Sequence, residues 1–155
     1  MATLNVTHIN PFLMAAKKIF QEMCFVDIEV QKPLLSEAEF KVNSWVIIIG
    51  VTGEVRGQVF IGMDEDTACA IASKMCMMDV KEIDDFAASA LGELGNMIMG
   101  NTATIFSNNT IRIDITPPTL SRGNIVFKSS YSKVLCVPML FEGRPIRMFL
   151  SLRQD

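Results

Sequence analysis

The chain is poor in the residues from which most catalytic and metal sites are built. It has one His (His8), one Trp and one Tyr in 155 residues. A His-based triad or a zinc site would need partners that the sequence does not supply around His8. The four Cys (Cys24, Cys69, Cys76, Cys136) contain no Cys-x-x-Cys pair. Cys69 and Cys76, seven apart in a helical pattern, are expected to share a buried face as small apolar residues. There is no basic excess either. Fourteen Lys plus Arg stand against 17 Asp plus Glu, a net charge of -3, the wrong sign for a nucleic-acid-binding face. A membrane span is also missing. Mean hydropathy is +0.32, yet the longest charge-free stretch, Leu94 to Ile111, holds four Asn, three Thr and two Gly, too polar for lipid. The first Lys is Lys17, and no basic segment precedes an apolar run. A signal peptide is therefore not expected, and the cytoplasm is the expected compartment. Half of the residues are hydrophobic and a fifth are charged. That is enough to build a substantial core and a single domain over 1–155.

Local patterns divide the chain into elements. Asn10-Pro11 reads as a helix N-cap and first helical residue, with the helix running to about Cys24. Phe25 to Val30 alternates apolar and acidic, as a half-solvated strand does. Phe40 to Val51 contains the buried run Trp45-Val-Ile-Ile-Ile49, and Val55 to Met63 returns as its hairpin partner. Asp64 caps a helix that ends near Met78, with Glu65 and Asp66 in its first turn. Asp79-Val-Lys-Glu82 reads as a capping box for a long helix to about Phe106. Strands follow at Ile111 to Ile115, Asn124 to Lys128, Lys133 to Phe141 and Ile146 to Leu152, with Glu142-Gly143-Arg144 as the last turn.

The two halves resemble each other. Val26-Asp-Ile-Glu-Val-Gln-Lys-Pro-Leu-Leu-Ser36 aligns with Ile111-Arg-Ile-Asp-Ile-Thr-Pro-Pro-Thr-Leu-Ser121, and Asn10 to Phe20 aligns with Asn96 to Phe106. Each half reads helix, strand, proline stop, hairpin. The expected fold is α+β: an antiparallel sheet covered by long helices, internally duplicated with pseudo-twofold symmetry, the pseudo-repeats at about 5–79 and 80–155.

On a helical wheel the second long helix places Ile83, Phe86, Ala87, Ala90, Leu94, Met97 and Ile98 on an apolar face. Nearly opposite lie Asp85, Ser89, Gly92, Glu93, Asn96 and Gly100. Glu93 and Asn96, three apart, are neighbours. Glycine inside a helix costs about 1 kcal/mol relative to Ala. Gly92, Gly95 and Gly100 therefore suggest a close approach, either by another part of this chain or by a partner. Asp84, Asp85 and Glu93 do not converge as ligands, so no metal site is expected. No base stands beside Ser89 to make it a nucleophile. A carboxamide, neutral and both donor and acceptor, can hold a water for in-line attack on a phosphoryl group that brings its own cation. An adjacent carboxylate can pair with a Lys of a partner.

Asp85-x-x-x-Ser89-x-x-x-Glu93-x-x-Asn96 on a long helix, the repeated topology and Ile113-Asp-Ile-Thr-Pro-Pro-Thr119 together resemble the CheC/CheX/FliY family of bacterial chemotaxis phosphatases, and within it the CheX type. Gly50-Val-Thr-Gly53, Gly57 and the helix from Glu65 to Met75 extend the likeness over nearly the whole chain. The resemblance implies a CheC-like fold and hydrolysis of the aspartyl phosphate of a phosphorylated CheY-type response regulator. It assigns Asn96 to orienting the attacking water and Glu93 to the regulator's active-site Lys. Asp85, Ser89, Gly92 and Gly100 would line the partner-binding face. It also implies no cofactor on this chain, the Mg2+ being held by the regulator, and a homodimer with no nucleic-acid or membrane partner. In the first half, Asn10 aligns with Asn96 but Thr7 stands where Glu93 would be, which implies one working site per chain. The alternative is a non-catalytic adaptor that binds response regulators or flagellar switch components.

Overall fold

The computed structural model describes residues 2–3, 6–36, 38–40, 44–123, 125–127 and 134–154. In chain order the elements are β1 (Ala2–Thr3), α1 (Val6–Cys24), β2 (Glu29–Val30), β3 (Leu34–Ser36), β4 (Ala38–Phe40), β5 (Trp45–Gly53), β6 (Val55–Met63), α2 (Glu65–Cys76), α3 (Asp85–Asn108), β7 (Ile113–Ile115), β8 (Thr119–Arg122), β9 (Ile125–Phe127), β10 (Val134–Phe141) and β11 (Arg144–Gln154). The fold is α+β. Its antiparallel sheet has the order β2-β10-β11-β6-β5-β7, with β3 also on β10, β8 also on β5 and β1 on β11; β4 and β9 pair separately.

Apart from β1 on β11, the strand pairings of one half have counterparts in the other. β5 pairs with β6, β7 and β8, as β10 pairs with β11, β2 and β3. The central pair is β6 with β11, and β4 pairs with β9. Both long helices are followed by a left-handed residue, Phe25 at φ 58° and Thr110 at φ 65°.

The main core lies between the helices and one sheet face. Phe12, Ala16 and Phe20 of α1 and Leu91, Leu94 and Ile98 of α3 pack there on Ile47, Ile61, Val137 and Met148. Phe12 meets Phe106 edge-on at 5.6 Å and Phe20 meets Phe141 at 5.7 Å. A smaller cluster on the other face joins Phe40, Phe60 and Phe149, with Phe40 and Phe149 edge-on at 5.1 Å. The guanidinium of Arg147 sits over both Phe40 and Phe149 at 5.5 and 5.4 Å, so its positive charge meets the negative faces of two rings.

Four sequence expectations need correction. First, α1 begins at Val6, so Asn10 is not its cap and Pro11 lies inside the helix. Packing outweighs the lost hydrogen bond: Ile9 is buried and His8 stacks on Phe106 at 6.4 Å, and tertiary burial decides helix extent more than local signals do. Second, the capping box at Asp79 is not used. The true cap is Asp84, whose carboxylate accepts from Ala87 N–H at 2.9 Å. Met77 turns left-handed, and Val80 N–H donates to Ser73 Oγ at 2.9 Å; this ties the connection back onto α2 and keeps Asp79 out of α3. Third, only Glu29–Val30 of Phe25 to Val30 joins the sheet. Fourth, Cys69 and Cys76 are only half-buried. Other expectations hold in detail. The α2 cap is Asp64, accepting from Thr67 N–H at 2.8 Å. The last turn is Glu142-Gly143 with both φ positive, 49° and 80°, the two-residue turn that suits a twisted hairpin. The strand β8 was not foreseen, because Pro117-Pro118 read as a stop. Lys41, Val42 and Asn43 of the predicted strand Phe40 to Val51, and Asn124, Lys128 and Lys133 of the later ones, lie outside the described residues.

Burial pushes the Cys24 thiol up to about 12, a nearby Lys74 drawing it down and Glu142 up by lesser amounts. The folded-state pKa thus stands above the unfolded value. Between about pH 9 and 12 the unfolded chain releases a proton that the folded chain keeps, so stability falls as pH rises through that window. Unfolding curves from pH 8 to 11 should show wild type losing stability relative to Cys24→Ala by up to about 1.4 kcal/mol per pH unit above pH 9. Parallel curves for the two proteins would refute this.

Candidate functional site

The site is built from the outer face of α3. Ala87, Leu91, Leu94, Gly95, Ile98 and Phe106 are buried against the sheet and α1. At 100° per residue, the opposite arc carries Gly92, Asp85, Asn96, Ser89, Gly100 and Glu93 in that angular order. Asp85, Ser89 and Glu93 are exposed, while Gly92, Asn96 and Gly100 are half-exposed. The side chains of Glu93 and Asn96 make no hydrogen bond or ion pair with any described residue. Both are free to engage something outside the chain.

A second wall faces them. Glu93 and Asn96 line an open groove of about 320 Å³ with Ile115, Thr116, Pro117 and Pro118. This wall is pinned to β5. Thr116 N–H donates to the Gly50 carbonyl at 3.0 Å, and Gly50 N–H donates to Thr116 Oγ1 at 2.8 Å. A Cβ on Gly50 would stand 3.0 Å from Thr116 Cγ2, so glycine leaves room for the Thr116 side chain to sit over Gly50 and accept from its N–H. Two prolines then stiffen the rim. In the sequence Pro117-Pro118 reads as a strand stop and 113–119 as a family marker; the structure makes Thr116 and both prolines a wall of the groove. A Thr-Pro-Pro run after a short strand was the available signal.

The six predicted positions therefore separate. Glu93 and Asn96 share the groove. Gly92 lies beside its rim, where an added Cβ would come 3.9 Å from Pro118 Cγ. Asp85, Ser89 and Gly100 lie on the same stripe outside the groove. Asp85 is eleven residues from Asn96, about 16 Å along the axis, too far to act on the same atoms. One predicted core residue is misplaced. Phe86 is 64% exposed, because its wheel angle is only about 20° from that of Glu93. It belongs to the outer face. Ile83 precedes the helix altogether. Among the described residues, no three His, Cys, Asp or Glu side chains come together as a metal-ligand cluster, and no helix is long and apolar enough to cross a membrane.

The family model for the chemotaxis phosphatase CheX matches residues 45–140, more than half of the chain and all of the groove. This chain belongs to the CheX family. A curated relative, the CheY-P phosphatase CheX of Thermotoga maritima, is 28% identical over 148 residues, covering 94% of this chain and 95% of the relative. The crystal structure of the CheX-CheY-BeF3-Mg+2 complex from Borrelia burgdorferi matches with 32% identity and a TM-score of 0.81, covering 97% of this chain and 100% of that one. A CheC-like superfamily protein from Shewanella sp. PV-4 matches in fold, with a TM-score of 0.87 at 23% identity, over 97% of this chain and 99% of the other.

The glycines of α3 have different reasons for being there, and this makes a test. A Cβ on Gly95 would lie 2.6 Å from Ile47 Cγ2, whereas one on Gly100 would meet nothing within 4 Å. Both changes to Ala gain about 1 kcal/mol of helix propensity. Thermal or denaturant unfolding should show Gly100→Ala more stable than wild type and Gly95→Ala less stable by roughly 1–3 kcal/mol, since the branched Ile47 must be displaced. Equal shifts for the two variants would contradict the seating of α3 on β5.

Proposed function

We propose that this chain is a CheY-P phosphatase in which Asn96 orients the water that attacks the aspartyl phosphate of the regulator. The observation that carries this reading is the free, half-exposed carboxamide of Asn96 beside the exposed carboxylate of Glu93 in one open groove. Family membership and the activity named for the Thermotoga relative support the reaction; the Borrelia complex, which pairs a CheX with a CheY, supports the partner.

The groove suits a macromolecular substrate. It is shallow and open, so it cannot bury a small ligand as an enclosed pocket does, and a protruding active centre of another protein can reach it. In the proposed step, water approaches phosphorus opposite the acyl oxygen of the regulator's aspartyl phosphate. The P–O bond to that oxygen breaks, the carboxylate leaves with the electron pair, a water O–P bond forms, and the water's proton passes to a phosphoryl oxygen of the inorganic phosphate released. Asn96 Oδ1 accepts from the water and fixes its line of approach. A carboxylate at that position would place a negative charge next to an anionic phosphoryl group; an amide does not. The cation that neutralises developing charge travels with the regulator, and this chain holds no cofactor. Glu93 pairs with a Lys of the regulator and sets the register. Asp85, Ser89, Gly92 and Gly100 form the rest of the contacting stripe. The same reading treats the chain as one domain of two pseudo-repeats, acting as a homodimer in the cytoplasm.

Two variants test the roles separately. Asn96→Ala should reduce accelerated dephosphorylation on the order of 10²-fold or more, with unchanged circular dichroism and binding. Glu93→Ala should raise KM roughly tenfold with a smaller change in kcat, because a docking charge is lost. The assay is phosphate release from a phosphorylated CheY with Mg2+. A wild-type protein that binds phosphorylated CheY and leaves its lifetime unaltered would be an adaptor, and the catalytic reading would be withdrawn.

A further inference from the structure

Where α2 hands over to α3, Phe86 and Met78 are 64% and 56% exposed. They line an open depression of about 330 Å³ with Val80, and with Asp79, Glu82 and Asp84 around them. Lys81 also borders it, 3.9 Å from Asp79. Against that one ammonium stand three carboxylates, so the apolar centre has an acidic collar. Large apolar side chains left this exposed mark contact surfaces when they adjoin one another, and an aromatic ring within a polar rim has the composition of an interface anchor.

Position on the helix says which contact. Phe86 and Glu93 differ by seven residues, about 10 Å along the axis and about 20° around it. Phe86 and Asn96 are about 15 Å apart along the axis and about 80° apart around it, so Glu93 lies between them on the surface. A standard protein interface covers about 800 Å² per partner, a disc of roughly 16 Å radius. A regulator seated over the groove of Glu93 and Asn96 therefore has Phe86, about 10 Å along the axis from Glu93, within its footprint.

We infer that Phe86, with Met78, is a second anchor for the response regulator that presents its phosphoryl group to Asn96, and that it receives an apolar side chain flanked by Lys or Arg on that regulator. The inference rests on the proposed function. The groove supplies the chemistry; the depression supplies affinity at a point too remote to touch the reacting atoms. Phe86 is thus a specificity-determining residue: a regulator lacking the apolar and basic pair loses this contact and keeps the one at Asn96.

The test is steady-state dephosphorylation of a phosphorylated CheY by the full chain over a range of CheY concentrations. Phe86→Ala should raise KM about tenfold with kcat within twofold of wild type, and Phe86→Leu should recover most of the loss. Glu82→Lys, which reverses one charge of the collar without touching either helix cap, should also raise KM, and its effect should shrink at high salt. The exposure of Phe86 leaves the fold unaffected by its truncation, which circular dichroism checks. If Phe86→Ala matches wild type at every concentration while Asn96→Ala is inactive, this anchor is refuted and the catalytic reading stands. If wild type itself does not shorten the phosphoryl lifetime, both fall together.

Discussion

The site depends on one steric contact, the seating of α3 on β5 through the missing side chain of Gly95. Ile47 Cγ2 and Ile49 Cδ1 occupy the space that a Cβ at Gly95 would need, at 2.6 and 3.3 Å. This close approach fixes the rotation of α3. Leu91, Leu94 and Ile98 then turn inward, and the stripe from Asp85 to Gly100 turns out. It also fixes the separation between α3 and the far end of β5, where Gly50 holds the Thr116 wall by two hydrogen bonds. Helix and wall are thus referenced to the same strand, residues 47 to 50. The proposed orientation of a water by one amide would need closely held positions, and a single strand carrying both sides of the groove meets that need.

The electrostatic design of the groove is sparing. It offers one neutral polar group and one carboxylate, and among the groove's lining residues there is no cation. Most of the work in phosphoryl transfer is positioning and charge neutralisation. Under the proposed function a groove that supplies only the first leaves the second to the substrate. The net charge of -3 is compatible with this division, since long-range attraction would act between acidic residues of α3 and basic groups on the regulator. Gly92 and Gly100 fit the same picture. Among the described residues no close atom excludes a Cβ at either position, which agrees with the proposed approach of a partner along this face.

The sequence made the long helices, the two central hairpins and the polar stripe of α3 legible, because each rests on a periodic pattern several turns or residues long. Glu93 and Asn96 were identifiable as a pair on those grounds. What was not legible depended on tertiary competition. Asp79 and Asp84 are both good N-caps, and the Ser73 tether to Val80 favours Asp84 by holding Asp79 against α2. Asn10-Pro11 is a sound helix start in isolation, yet the ring of Phe106 rewards another turn. Phe86 was assigned to the core because it is apolar, although its angle placed it beside Glu93. The wall of the groove was hidden for another reason: it comes from residues 115 to 118, and no local pattern reports which distant helix a proline pair will face.

The matched strand pairings of the two halves place different residues at corresponding positions. Exchange carries Asn96 to Asn10 and Glu93 to Thr7, so the carboxamide has a counterpart on α1 and the carboxylate has none. It carries Thr116 to Gln31, and the backbone bond is kept: Gln31 N–H donates to the Pro138 carbonyl at 2.9 Å, as Thr116 N–H donates to that of Gly50 at 3.0 Å. The return bond cannot exist, because Pro138 has no N–H to donate. Lys32 then stands where Pro117 does, exchanging a rigid rim for a long, exposed, positively charged side chain. An amide alone does not make a groove. The first half has the amide but not the anionic neighbour, the doubly bonded anchor or the first proline of the rim, so the arrangement proposed for Asn96 is not repeated there.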